Sequence, residues 1–178
     1  MKLLITGGAG FIGSNFVKLS LQDFSLIDSI IVLDKLTYAG RLSNLQQFFK
    51  RSDFEFVHGD ICNFRLVSKL ISQVDAVVNF AAESHVDKSI SSSKEFVHTN
   101  IEGVRTILDS IVKSNRNIRF VQVSTDEVYG SIQNGSWDEY SPIQPNSPYS
   151  ASKAGGELMV RAYHNTYGVD VITTRGSN

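Results

Sequence analysis

Short, continuous apolar runs alternate along this chain with longer segments in which apolar residues recur every three or four positions. The runs Lys2–Thr6, Ser29–Leu33, Phe54–His58, Asp75–Phe80, Ile118–Ser124 and Val169–Thr174 read as six strands. Unbroken apolar stretches of this length suit strands buried on both faces. Between them, Phe11 to about Leu21 puts Phe16, Val17 and Leu21 on one helical face. Leu42–Lys50 reads as a short helix and Asn63–Ile71 as a helix capped by Asn63. Glu95–Asn115 and Tyr149–Tyr167 read as two long helices. Strands that alternate with helices predict a parallel sheet covered on both faces. Right-handed crossovers then make it a doubly wound α/β sheet of the Rossmann type.

Composition changes that picture little. The chain has 178 residues, 42% hydrophobic and 20% charged, which suits one globular domain spanning 1–178. A net charge of −1 gives no broad attraction to nucleic acid or to an anionic membrane, and leaves room only for a local basic patch at a phosphate. Cys62 is the single cysteine, so no intramolecular disulfide forms and no metal cluster is built on cysteine. The opening apolar run is too short and too broken by glycine for a signal peptide or membrane span. A cytoplasmic protein is the expectation.

The candidate chemistry sits between these elements. Gly7, Gly10 and Gly13 are spaced G-x-x-G-x-x-G between the first strand and the first helix. Glycine there permits a tight turn and a close backbone approach to a pyrophosphate, and the helix N-terminus supplies free N–H groups. Asp34 ends the second strand at about the 20-residue distance expected of a carboxylate that accepts both ribose hydroxyls. It would repel a 2′-phosphate and favours NAD, while Lys35 and Arg41 nearby keep NADP in play. Asp60 and Ile61 follow the third strand, placed either to flank an adenine or as an ordinary loop acid and its neighbour. Tyr149 and Lys153 share one helical face. An ammonium beside a phenol favours phenolate and lowers its pKa, and the lysine can also hold a nicotinamide ribose. Thr125, Asp126 and Glu127 follow the fifth strand, at the sheet edge where ligands bind in open α/β folds. Thr125 can donate to a substrate oxygen, and two carboxyls with separated pKa values can serve as acid and base. Successive strand residues point to opposite faces, so both carboxyls reach one substrate only if the strand has ended or twisted there.

Five segments, in this order, resemble the dTDP-glucose 4,6-dehydratases of the extended short-chain dehydrogenase/reductase superfamily, the NAD-dependent epimerase/dehydratases. They are TGGAGFIG at Thr6–Gly13, DKLTYAG at Asp34–Gly40, FAAESHVDKSI at Phe80–Ile90, STDEVYG at Ser124–Gly130 and YSASK at Tyr149–Lys153. The likeness spans essentially the whole chain. Epimerases of the superfamily typically lack the Asp–Glu pair. Decarboxylases and GDP-mannose dehydratases typically keep the glutamate without the aspartate. Asp126–Glu127 therefore carries the dehydratase reading; a UDP-sugar dehydratase, an epimerase or decarboxylase with the same cofactor, and a non-catalytic dinucleotide-binding remnant stand as the alternatives.

The resemblance implies a cycle. Tyr149, as phenolate, takes the proton of the glucose 4-hydroxyl while hydride passes from C4 to NAD. Glu127 then removes the C5 proton, Asp126 protonates the departing 6-hydroxyl, and hydride returns to C6. Thr125 assists at the 4-oxygen. Phe11, Ile12, Lys35, Leu36, Thr37, Phe80, Ala81, Ala82, Ser84 and Thr99 would line the cofactor, and Ser84 and Asn178 would meet substrate. His85 and Asp87 lie in a segment the family keeps near the site, but receive no catalytic role. His58, His98 and His164 read as structural or exposed, and Cys62 as a small core residue. Gly176 stands where the family usually has Cys or another small side chain. The family is considerably longer, and its portion beyond the sixth strand supplies much of the sugar-nucleotide site. This chain alone is expected to bind NAD weakly to moderately and to turn over slowly or not at all. Its two long helices imply a homodimer through a four-helix interface.

Overall fold

The computed structural model describes residues 1–22 and 25–177. Its six strands are β1 (Lys2–Thr6), β2 (Ser29–Asp34), β3 (Phe54–His58), β4 (Ala76–Asn79), β5 (Arg119–Thr125) and β6 (Val171–Gly176). They form one sheet in the order β3-β2-β1-β4-β5-β6, and every neighbouring pair is parallel. The doubly wound α/β sheet is therefore as expected, with strand ends shifted by a residue or two. The helices are α1 (Phe11–Gln22), α2 (Phe64–Ile71), α3 (Val86–Ser91), α4 (Lys94–Val97), α5 (Val104–Ser114) and α6 (Pro148–Tyr167).

Alternation along the strands divides the core in two. Leu4, Ile31, Leu33, Val77 and Phe120 pack with residues of α2, α5 and α6. Their neighbours Leu3, Ile5, Ile30, Val32 and Ala76 pack with Val17 of α1 and with Leu45 and Phe48 on the other face. Between the two layers a polar chain crosses three strands: Thr6 donates to Asn79, and Asn79 donates to Gln122 at 2.8 Å. Each of these buried side chains is hydrogen-bonded, as burial of a polar group requires.

Three predicted elements differ. Leu42–Lys50 is not a helix but two 3-10 turns, Leu42–Asn44 and Gln46–Phe48. The segment is pinned to the glycine turn, because the Arg41 amide and the Asn44 side chain both donate to the Ala9 carbonyl. The helix expected over Glu95–Asn115 starts at Lys94, widens into a π-helical stretch at His98–Gly103 and resumes as α5. The wide turn carries Asn100, 2% exposed, which donates to Ser152 at 2.8 Å and to the Glu83 carbonyl and accepts from the Glu83 amide. The buried amide is fully paired only with the backbone opened in this way. α3 lies within the segment Phe80–Ile90, for which the apolar pattern predicts no helix. The predicted Asn63 cap accepts from the Leu66 amide. α6 begins one residue earlier than predicted, with Pro148 at its first position and Ser147 and Ser150 as a reciprocal cap.

Candidate active site

β1 and β4 lie side by side, and the chain leaves them in opposite directions across the sheet. Such a switch point opens a crevice at the carboxyl ends of the strands. Here it is a cleft of ≈ 310 Å³ lined by the glycine turn, the ends of β2, β3 and β4, and Tyr149 and Lys153 of α6. Glycine is required at both ends of the turn. Gly7 has φ of 69°, and a Cβ there would lie 2.5 Å from the Ala81 amide nitrogen; at Gly13 it would lie 2.4 Å from the Gly7 carbonyl oxygen.

Asp34 is 8% exposed and closes this corner. One carboxylate oxygen accepts from the Ala9 amide at 2.9 Å and the other from the Leu36 amide at 2.7 Å. Each oxygen keeps a lone pair for a further donor. Lys35 and Asp60 form an ion pair at 2.8 Å, which raises the lysine's pKa. Burial pushes Asp60 up, but the Lys35 ammonium and the Cys62 amide outweigh it and hold the carboxyl below its usual range. Phe11, Ile12, Thr37, Ile61, Phe80, Ala81, Ala82, Ser84 and Thr99 all line the cleft. Leu36 does not: held at φ 55° by the Asp34 bond, its side chain turns away and packs on the α1 side of the core. Asn178 lies outside the described residues.

The sequence patterns do not single out Leu33, Ala39, Gly40, Gly59, Val123 and Ser124, which also line the cleft. Ala39, Gly40 and Ser124 lie inside the recognised segments and Val123 immediately precedes one, and that is the available signal. The Ser124 hydroxyl is buried without a partner among the described residues, an open position for a ligand atom.

Cys62, Asp60 and His98 place potential metal-ligand atoms within 4.8 Å of one another. Here the Asp60 carboxylate is taken by Lys35 and by the Cys62 amide. The thiol donates to the His98 carbonyl, and burial pushes its pKa up to about 12. The half-buried Cys62 packs against the core, His98 and His58 are exposed, and the His164 ring bonds the Val169 carbonyl.

β5 ends at Thr125, and Asp126–Tyr129 is a 3-10 turn capped by the Thr125 hydroxyl, which accepts from the Glu127 amide. None of Thr125, Asp126 and Glu127 is among the residues that line the cleft, whereas Ser124 just before them and Tyr149 are. Burial raises the phenol's pKa, the Glu127 and Asp126 charges raise it further, and the Thr125 hydroxyl works the other way. Burial and the Asp126 charge likewise raise Glu127.

Lys153 corrects one expectation. Its ammonium does not bear on the phenol but donates to the Val123 carbonyl at 2.8 Å. The group is 5% exposed; burial pulls its pKa from 10.5 to about 8, against the Glu157 charge. An unfolded lysine holds its proton up to the higher value, so between the two the unfolded chain binds more protons. Stability from this group is therefore complete above pH 10.5 and is lost as pH falls through about 8. The whole effect is on the order of 3 kcal/mol. Denaturant unfolding of Lys153→Met and of the parent chain across pH 7–10 isolates it. The parent is expected to gain relative to the variant as pH rises, and parallel profiles would refute this.

One cleft of the parallel switch-point sheet thus brings together a glycine turn, a buried strand-end acid and a Tyr–Lys pair. The model of the GDP-mannose 4,6 dehydratase family matches residues 4–178, and the chain belongs to that family. A curated dTDP-glucose 4,6-dehydratase of Streptomyces niveus is 49% identical over all of this chain and 54% of its own length. The solved dTDP-glucose 4,6-dehydratase DesIV of Streptomyces venezuelae, with NAD and TYD bound, is 53% identical at a TM-score of 0.94, over 98% of this chain and 55% of its own. A UDP-glucuronic acid 4-epimerase of Bacillus cereus, in complex with UDP-glucuronic acid and NAD, superimposes with a TM-score of 0.89 at 29% identity, over 98% of this chain and 56% of its own. The chain thus spans about half the length of the relatives it matches. The shared fold does not separate dehydration from epimerisation, so the reaction must be argued from the site.

Proposed function

We propose that this chain is the NAD-binding part, residues 1–178, of a dTDP-glucose 4,6-dehydratase that forms dTDP-4-keto-6-deoxyglucose for deoxysugar synthesis. One observation carries the reading: Asp126 and Glu127 share the turn that follows β5 and its cleft-lining Ser124, and the charges of both raise the Tyr149 pKa. An oxidation or epimerisation site needs only the Tyr–Lys pair; elimination also needs an acid and a base.

NAD would lie with its pyrophosphate on Gly7, Gly10 and Gly13, its ribose on Asp34 and its adenine near Asp60 and Ile61; bound there, it would accept a hydride and return it. Lys153 would trade the Val123 carbonyl for a ribose hydroxyl, and its charge would then favour the Tyr149 phenolate that takes the 4-hydroxyl proton. Glu127, made more basic by burial and by Asp126, would remove the C5 proton. Asp126 would protonate the leaving 6-hydroxyl, with Thr125 and Ser84 at the sugar oxygens. The Asp34 carboxylate, fixed at the ribose corner by the Ala9 and Leu36 amides, would repel a 2′-phosphate. NAD is therefore expected to bind at least about tenfold tighter than NADP by calorimetry, roughly 1.4 kcal/mol; Asp34→Asn should erase the preference, and equal affinities in the parent chain would overturn the assignment.

No described helix is long and apolar enough to cross a membrane, and a nucleotide sugar and NAD are cytoplasmic solutes, so a cytoplasmic location is proposed. The exposed Val97 and Leu158, on the two helical stretches expected to pair, support a homodimer. The deciding experiment incubates the product of the intact gene with dTDP-glucose, UDP-glucose and UDP-glucuronate. A 4-keto-6-deoxy product from dTDP-glucose is expected. Decarboxylation of the glucuronate, or a 4-epimer as the only product, would replace this reading.

A further inference from the structure

We propose that Arg175 is a positioning residue that holds the turn of Asp126 and Glu127 against the helix of Tyr149 and Lys153. The inference rests on the dehydratase reading and names a device within it.

Elimination and C4 oxidation use groups on two different elements. Asp126 and Glu127 stand on the 3-10 turn after β5, while Tyr149 and Lys153 stand on α6. Arg175 belongs to neither. It lies on β6, paired in register with Ser124 of β5, and its guanidinium reaches both elements. Toward α6, the Nε and one terminal nitrogen donate to Glu157, at 3.0 and 2.7 Å to one carboxylate oxygen. Toward the turn, the other terminal nitrogen donates to the Tyr129 hydroxyl at 2.6 Å, and the guanidinium lies 4.8 Å from the centre of the Tyr129 ring.

Both partners are buried where it matters. The Glu157 side chain is 4% exposed and Tyr129 is 8% exposed. Glu157 sits one helical turn beyond Lys153, and its charge is the one that favours the Lys153 ammonium. Tyr129 is the last residue of the catalytic turn, and Trp137 stacks on its other side at 5.6 Å. A planar fork with five fixed donors can hold two acceptors at a set angle; a lysine ammonium presents no such plane. Buried ion pairs contribute little net stability but strongly constrain geometry. Here the constrained geometry is the separation between the acid–base carboxyls and the Tyr–Lys pair.

The test compares Arg175→Lys, Arg175→Met and Tyr129→Phe in the product of the intact gene, using dTDP-glucose deuterated at C4 or at C5. Misplacing a reacting group by about 1 Å costs up to roughly 100-fold. Arg175→Met is therefore expected to slow turnover by about 10- to 100-fold with the loss concentrated in elimination. The C5 isotope effect should grow and the C4 effect shrink. Tyr129→Phe, which removes one hydrogen bond and no packing, should show the same shift on a smaller scale, and Arg175→Lys should not restore the parent pattern. Independently of turnover, amide exchange at Asp126–Gly130 should accelerate in Arg175→Met while exchange in α1 is unchanged. Unchanged isotope effects, or amide protection lost equally throughout the sheet, would overturn the assignment. A parent protein that dehydrates no nucleotide sugar would instead overturn the function on which it rests.

Discussion

Replacing Tyr149 with phenylalanine is expected to lower turnover of dTDP-glucose by about 10²- to 10⁴-fold, the span a positioned acid–base group supplies. The substitution removes one oxygen and little else. The backbone amide of residue 149 keeps its bond to the Ser89 hydroxyl, and the ring keeps its edge-to-face contact with Phe96. Burial already disfavours the phenolate, so deleting the hydroxyl leaves no buried charge without a partner. NAD affinity should stay within a few-fold of the parent and the melting temperature should hardly move. Steady-state assays with calorimetric NAD titration make the check. A variant that keeps more than a tenth of the parent's activity would show that the proton is taken elsewhere.

Gly7→Ala is expected to produce the largest structural effect. Its φ of 69° lies in the left-handed region, and the new Cβ would meet the Ala81 backbone nitrogen at 2.5 Å. The left-handed backbone costs about 1–2 kcal/mol for any residue with a Cβ, and forcing an atom into packed backbone about 1–3 kcal/mol more. Neither neighbour can yield cheaply: the clash is with main chain leaving β4, and Gly7 itself bonds to the Leu33 carbonyl. A loss of roughly 2–5 kcal/mol translates into a melting point lower by about 5–20 °C for a chain of this size. NAD binding should weaken with it, since the same backbone faces the expected pyrophosphate. A Gly7→Ala chain that melts with the parent would mean that the turn has room for a Cβ after all. Gly176, by contrast, has open space around its Cβ position, so alanine there should be tolerated.

Much of the fold is legible in the order of residues. The six apolar runs are all strands of one parallel sheet; in β1, β2 and β4 the signature is period-free because both faces are buried. Many of the cleft-lining residues are recognisable because a glycine turn, a strand-end acid and a Tyr–Lys pair each impose local chemistry at fixed spacing. The π-helical turn is not legible. It is set by Asn100 finding Glu83 and Ser152, partners distant in sequence. Leu36 departs from its expected place for a related reason: the Asp34 carboxylate captures its amide and turns the side chain into the core.

What the amino-acid order determined by itself is therefore the layered fold and the identity of the groups with chemistry to offer. Periodicity and turn residues act over a few positions. Tertiary structure alone decided how those groups are tuned. It ended β5 at Thr125, so that Asp126 and Glu127 stand on a turn and not on opposite faces of a strand, and it sent the Lys153 ammonium to the Val123 carbonyl. It also joined Arg175, Glu157 and Tyr129 across three elements. Burial and charge act through space, and sequence separation carries no record of either.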